Sequence, residues 1–159
     1  MKPVKREEMG QVVGRILRET PITDVHTHIY PAAFGDLLLW GVDELITYHY
    51  LIAETFRYEE RSYEQYFALP KRQQADLIWK TLFTDRSPLS EAQRGVLTVM
   101  NKLGQDVRSR DLAAIRQFCD SKGVDEYIDI VFKTAGVKEV VMTNDIFNPQ
   151  EFAVWSKEP

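Results

Sequence analysis

The apolar positions of this chain recur mostly at helical intervals. Met9, Val12, Val13, Ile16 and Leu17 share one stripe, which predicts a helix over residues 6–18, stopped by Pro21. The segment P-I-T-D-V-H-T-H follows. Its β-branched residues Ile22, Thr23, Val25 and Thr27 predict a buried strand. After Pro31 the run A-A-F-G-D-L-L-L-W-G predicts a short apolar helix that breaks at Gly41. Asp43 is then expected to cap one longer helix that ends near Arg57. Ala75, Ile78, Trp79 and Leu82 form the stripe of a helix over Lys71–Phe83. Ser90-Glu-Ala-Gln93 predicts a capping box for a helix running to Leu103, with Gly104 just beyond it. Two more helices follow, one marked by Leu112, Ile115, Phe118 and Cys119. The other is marked by Tyr127, Ile128, Val131, Phe132 and Ala135, and ends at Gly136.

The period then changes. Val137–Thr143 is short, apolar and β-branched, as a second buried strand would be. Asn144-Asp145 has the composition of a turn. Asn148-Pro149-Gln150-Glu151 places a cap, a proline at the first helical position and a glutamate three residues after the cap, so a further helix begins there. The expected order is helix, strand, several helices, strand, helix. Roughly 110 residues between two strands far exceed a simple βαβ crossover of about 30 residues, so a helical insertion is required. Two strands alone do not make a stable sheet in water. Either they form the core of a mainly helical domain, or the chain is the front of a longer α/β protein, which the helix beginning at Asn148 favours.

Composition narrows the chemistry. Twenty Lys and Arg against 24 Asp and Glu, a net charge of −4, are mixed along the chain and leave no basic stripe for nucleic acid or an anionic membrane. Cys119 is the one cysteine, so no internal disulfide forms, and its apolar helical face marks it as a buried small hydrophobe. No window approaches the ~20 apolar residues of a membrane span, and the N-terminus lacks a signal-peptide run. A cytoplasmic location is the default expectation. Trp40, Trp79 and Trp155 are read as packing residues, and Arg57 as a helix cap or ion-pair partner.

The candidate chemistry begins with His26 and His28, two of three histidines. On a strand they face the same way, together with Asp24, and imidazole nitrogen suits zinc and similar divalent ions. A catalytic zinc needs about three protein ligands, so two histidines make half a site. Read from the spacing alone, both could equally be ordinary polar residues at a strand edge.

D-V-H-T-H followed by Y-P-A-A-F-G-D-L-L-L-W resembles the start of the amidohydrolase superfamily, and more narrowly the uronate (glucuronate) isomerase family. Three further features carry the resemblance. They are the Trp40-Gly41 break before T-Y-H-Y-L, the block from L-P-K-R-Q-Q-A-D-L-I-W to S-E-A-Q-R-G-V-L, and V-V-M-T-N-D-I-F-N-P. The resemblance implies a (β/α)8 barrel with a large helical insertion between its first and second strands. It also implies a divalent metal, most often zinc, held by His26 and His28. The implied reaction is aldose–ketose isomerisation of hexuronates: D-glucuronate to D-fructuronate and D-galacturonate to D-tagaturonate. His49 and Tyr50 would contact the sugar and serve ring opening or the proton shuttle. Asn144 and Asp145, just past the second strand, are weaker substrate-binding candidates beside their reading as a turn. Two other readings remain open: a metal-dependent hydrolase of the same superfamily, and a non-catalytic helical module with an incidental histidine pair.

A complete barrel takes at least about 200 residues, and this chain has 159 with two expected strands. The expectation is a single N-terminal fragment: first helix and strand over 1–34, helical insertion over 35–136, second strand and the next helix over 137–159. Such a fragment would be inactive by itself, and the complete enzyme leaves room for a homo-oligomer.

Overall fold

The structure is a computed structural model that describes residues 3–27, 31–143, 145 and 147–157, the side chain of Asp36 excepted. The described elements are mostly helical. A short 3-10 turn, Arg6–Glu8, leads into α1 (Met9–Glu19), and β1 (Ile22–Thr27) follows. A 3-10 segment, Ala32–Leu37, precedes α2 (Val42–Ile46), α3 (His49–Thr55), α4 (Tyr63–Phe67) and α5 (Lys71–Ile78). A π-helical segment, Trp79–Thr84, continues from α5. Then come α6 (Glu91–Lys102), α7 (Leu112–Asp120), α8 (Val124–Ala135), β2 (Val137–Met142) and α9 (Pro149–Trp155). The chain divides into two compact units, residues 1–37 with 128–159, and residues 38–127.

In the first unit β1 and β2 pair in parallel, the arrangement of a crossover connection. Ile22 lies opposite Val137 and Thr27 opposite Met142. The Gly136 carbonyl accepts from Ile22 N–H at 2.9 Å, and the Thr27 carbonyl accepts from Thr143 N–H at 2.9 Å, closing both ends of the pair. Thr23 Oγ1 donates to Glu139 across it at 2.8 Å. The strands are not buried as their composition suggests. Ile22 is 46% exposed, Val25 67% and Val141 52%. A parallel pair needs cover on both faces, and no other strand joins it among the described residues. Among the described residues the sheet consists of these two strands, and no closed barrel forms.

α1 follows the same rule. Its stripe forms as expected, yet Met9, Val13, Ile16 and Leu17 all stay open to solvent. α9 is capped by Asn148, whose Oδ1 accepts from Gln150 and Glu151 N–H, with Pro149 at the first helical position. Its Trp155 meets Phe34 edge-on at 5.1 Å.

The hydrophobic core sits in the second unit. Ile46, Leu51, Tyr66, Ala75, Ile78, Leu82, Phe83 and Met100 are its most enclosed members, and Cys119 closes one side. Arg116 ties three helices together there. Its Nε donates to Asp43 of α2 at 2.9 Å, its Nη1 to Asp76 of α5 at 2.6 Å, and its Nη2 to the Arg72 carbonyl at 3.0 Å. Burial works against its charge. The hydrogen bonds it donates to Asp76 and Asp43 outweigh that, so its pKa is raised and the guanidinium stays charged.

Several boundaries differ from the sequence reading. The apolar run after Pro31 is 3-10 and kinked at Gly35, whose φ of 54° lies in the left-handed region. The single helix expected from Asp43 to Arg57 is two helices. Gly41, at φ 92°, starts α2, and the Asp43 carboxylate is taken by Arg116 and is not a cap. Thr47 Oγ1 then donates back to the Asp43 carbonyl at 2.8 Å and Tyr48 turns extended, so the helix stops and restarts. The box at Ser90 is half made. Ser90 Oγ accepts from Gln93 N–H, but the Gln93 side chain accepts from Leu89 N–H instead of Ser90. A complete reciprocal box forms at Ser62 and Gln65.

Candidate active site

The first unit carries His26 near the C-terminal end of β1, with its side chain exposed. Asp24 Oδ1 accepts from His26 N–H at 3.0 Å, and the pairing register shifts between Asp24 and Thr27. Strict alternation therefore does not run through His26. The aspartate on its strand side is turned toward the backbone. His28 lies outside the described residues. The donor chemistry of His26 suits a divalent ion: an accessible imidazole at the end of a parallel strand. The donor number does not close a site. Among the described residues no three His, Cys, Asp or Glu side chains come together.

Asp145 follows β2. Its Oδ1 accepts from Phe147 N–H at 2.9 Å and its carbonyl from Asn148 N–H at 3.1 Å. This is turn chemistry, as the composition suggests. Asn144 lies outside the described residues.

The second unit carries His49 and Tyr50 on the first turn of α3. Adjacent residues inside a helix diverge by about 100°, so one helical face cannot present both. At the end of a helix they can lie side by side. The His49 and Tyr50 rings are 4.3 Å apart, and Tyr48, in the extended cap position, lies 4.2 Å from His49 and 5.4 Å from Tyr50. All three are exposed.

The other end of α3 is fixed. Leu51 and Thr55 are buried, and Thr55 Oγ1 donates to the Leu51 carbonyl at 2.8 Å. Phe56 packs on the rings of Tyr63 and Tyr66 at 4.3 and 5.3 Å. Glu54 Oε2 accepts from Ser90 Oγ at 2.8 Å and from Gln93 Nε2 at 2.7 Å, which locks α3 to the start of α6. A rigid helix thus holds an accessible imidazole and phenol in one place.

The structure resembles that of another protein. The crystal structure of a uronate isomerase from Bacillus halodurans C-125 superposes with a TM-score of 0.93 at 46% sequence identity, over 98% of this chain. This chain is a uronate isomerase homologue. The match covers 37% of the Bacillus protein, so the homologue spans a little over a third of that relative's length. No protein-family model matches it, and no curated protein does. No helix among the described residues of the homologue is long and apolar enough to cross a membrane.

Two contributors escaped the sequence reading. Tyr48 sits within T-Y-H-Y, where its adjacency to His49 was the available signal. Glu54 had none, since its partners lie 36 and 39 residues away. Cys119 is buried, and burial pushes its thiol pKa up, which disfavours the thiolate.

Proposed function

We propose that this chain is the part of a uronate isomerase that supplies the first two barrel strands, a helical insertion and part of the catalytic machinery. The complete enzyme would interconvert D-glucuronate with D-fructuronate and D-galacturonate with D-tagaturonate. The observation that carries this reading is the likeness to a uronate isomerase at 46% identity across 98% of the chain. The adjacent, solvent-facing rings of His49 and Tyr50 support it, since they set an imidazole and a phenol side by side on one helix.

Aldose–ketose isomerisation moves a proton from C2 to C1 through an enediol. It requires a base within hydrogen-bond reach of C2 and a donor for the oxygens that gain charge. In this reading His49 and Tyr50 meet the open-chain sugar. His49 would take the proton from C2 and return it to C1, and the Tyr50 hydroxyl would donate to a sugar oxygen. Tyr48 offers a ring face beside them. His26 and His28 would hold a divalent ion, zinc first, with further ligands supplied from elsewhere in the enzyme. Such an ion supplies Lewis-acid polarisation of a sugar oxygen. Asn144 and Asp145 would border the same strand ends and reach sugar hydroxyls.

The test is an isomerase assay on a chain extended to the relative's length. It should turn over glucuronate or galacturonate. His49→Asn and Tyr50→Phe should each lower kcat by about 10²-fold or more. Hydrolysis of an ester or amide without isomerisation would overturn the reading. The 159-residue chain by itself, given zinc and glucuronate, should show no turnover.

A further inference from the structure

A cavity of about 300 Å³ opens in the second unit, away from α3's first turn in sequence and lined by none of its residues. Its walls include Trp79, Phe83, Leu97 and Val107, and Arg108 and Arg110 line it as well. Small-molecule sites are of this kind, mostly apolar with a few placed polar groups, from about 300 Å³ upward. Trp79 and Phe83 stack on each other at 4.6 Å and 16° and, at 5% and 1% exposure, close off one side of the cavity. Both belong to the π-helical segment Trp79–Thr84, a geometry often found at functional sites. The Trp79 indole N–H is already spent on the Arg110 carbonyl at 3.0 Å, so this wall offers the cavity no polar donor.

The cationic residues of the lining are Arg108 and Arg110. Arg110 has a φ of 55°, an uncommon left-handed conformation for a side-chain-bearing residue. Its own contacts hold it there: its carbonyl accepts from Trp79, and its Nη1 donates to the Thr84 carbonyl at 3.0 Å. That uses one of the five N–H donors of its guanidinium. The guanidinium of Arg108 has no hydrogen-bond or ion-pair partner among the described residues, and no acidic residue lines the cavity. A protein of net charge −4 thus keeps a cationic, apolar-walled cavity.

We propose that this cavity binds a small carboxylate with a flat apolar body. The body would lie against the half-buried Leu97 and Val107, beside the enclosed Trp79–Phe83 stack, and the carboxylate would take charge-assisted hydrogen bonds from Arg108 and Arg110. A hexuronate does not suit it. The sugar's carboxylate would be satisfied, but its hydroxyls would face rings and methyl groups and lose their hydrogen bonds to water. None of the residues proposed for the isomerase site lines the cavity.

The test uses the 159-residue chain and the probe 2-naphthoate, with neutral 2-naphthamide and glucuronate as comparisons. NMR follows the Trp79 indole N–H and the Leu97 and Val107 methyl groups. Saturable shifts at these positions are expected with naphthoate and none with glucuronate. Arg108 is exposed, so Arg108→Gln should keep the spectrum of the free protein. It should weaken naphthoate binding about tenfold and leave the weak naphthamide response unchanged. Equal affinity for naphthamide, no effect of Arg108→Gln, or shifts at Val25 and Val141 in place of the cavity would overturn the proposal.

Discussion

Tyr66 carries its hydroxyl into the core of the second unit at 0% exposure, where the group finds no hydrogen bond among the described residues. Burial pushes its pKa from near 10 up to about 12. A buried unsatisfied hydroxyl costs about 1–3 kcal/mol, so Tyr66→Phe should raise stability by about 1 kcal/mol in urea denaturation. The pH dependence follows from the direction of the shift. The unfolded chain loses the phenol proton near pH 10, before the folded one does. Stability is thus complete below pH 10 and falls as pH rises toward about 12, and Tyr66→Phe should flatten that fall. Tyr127, raised chiefly by burial, leaves a remainder of the same sign. Proximity was legible in the sequence where candidate residues are neighbours in the chain, as in T-Y-H-Y, whose rings lie together at the start of α3. The turn of Asp24 toward His26 N–H was not, because spacing says nothing about a register shift in the ladder.

Helix existence was legible wherever the apolar stripe was strong, as in α5, α6 and α7. Helix interruptions were not. The stop at Thr47 depends on one hydroxyl returning to a carbonyl, and the widening at Trp79–Thr84 keeps the apolar stripe of an α-helix. Arg116 is invisible as a structural residue in the sequence for a different reason: its partners Asp76 and Asp43 lie 40 and 73 residues away. It is the join between α2, α5 and α7. Arg116→Met would leave Asp43 and Asp76 without their cation. The loss should be about 2 kcal/mol, below the ~3–5 kcal/mol of a fully enclosed pair, because both carboxylates keep some solvent. Denaturant midpoints would measure it, and Lys at this position should recover only part, since it lacks the planar fork.

At the scale of the molecule the two units differ in how they are held. The one built on residues 38–127 has a continuous core, whereas the other exposes its strands and the apolar stripe of α1. The strand signal in the sequence was correct in type and wrong in burial, because composition records what a strand is made to pack against and not whether that cover is present. Hydrogen exchange should find the amides of β1 and β2 labile and those around Ile46, Leu51 and Ile78 slow. Equal protection of both sets would mean that the paired strands are stable by themselves.

The parallel pairing has a consequence in time. Thr23 and Glu139 bond across 116 residues of sequence. At a synthesis rate of about 5–20 residues per second, β1 leaves the ribosome on the order of ten seconds before its partner exists. During that wait Ile22 and Val25 have no strand to join, while the helices between can already close their own core. The helical unit should therefore gain protection first in pulse labelling of nascent chains, with β1 the segment that chaperones hold longest.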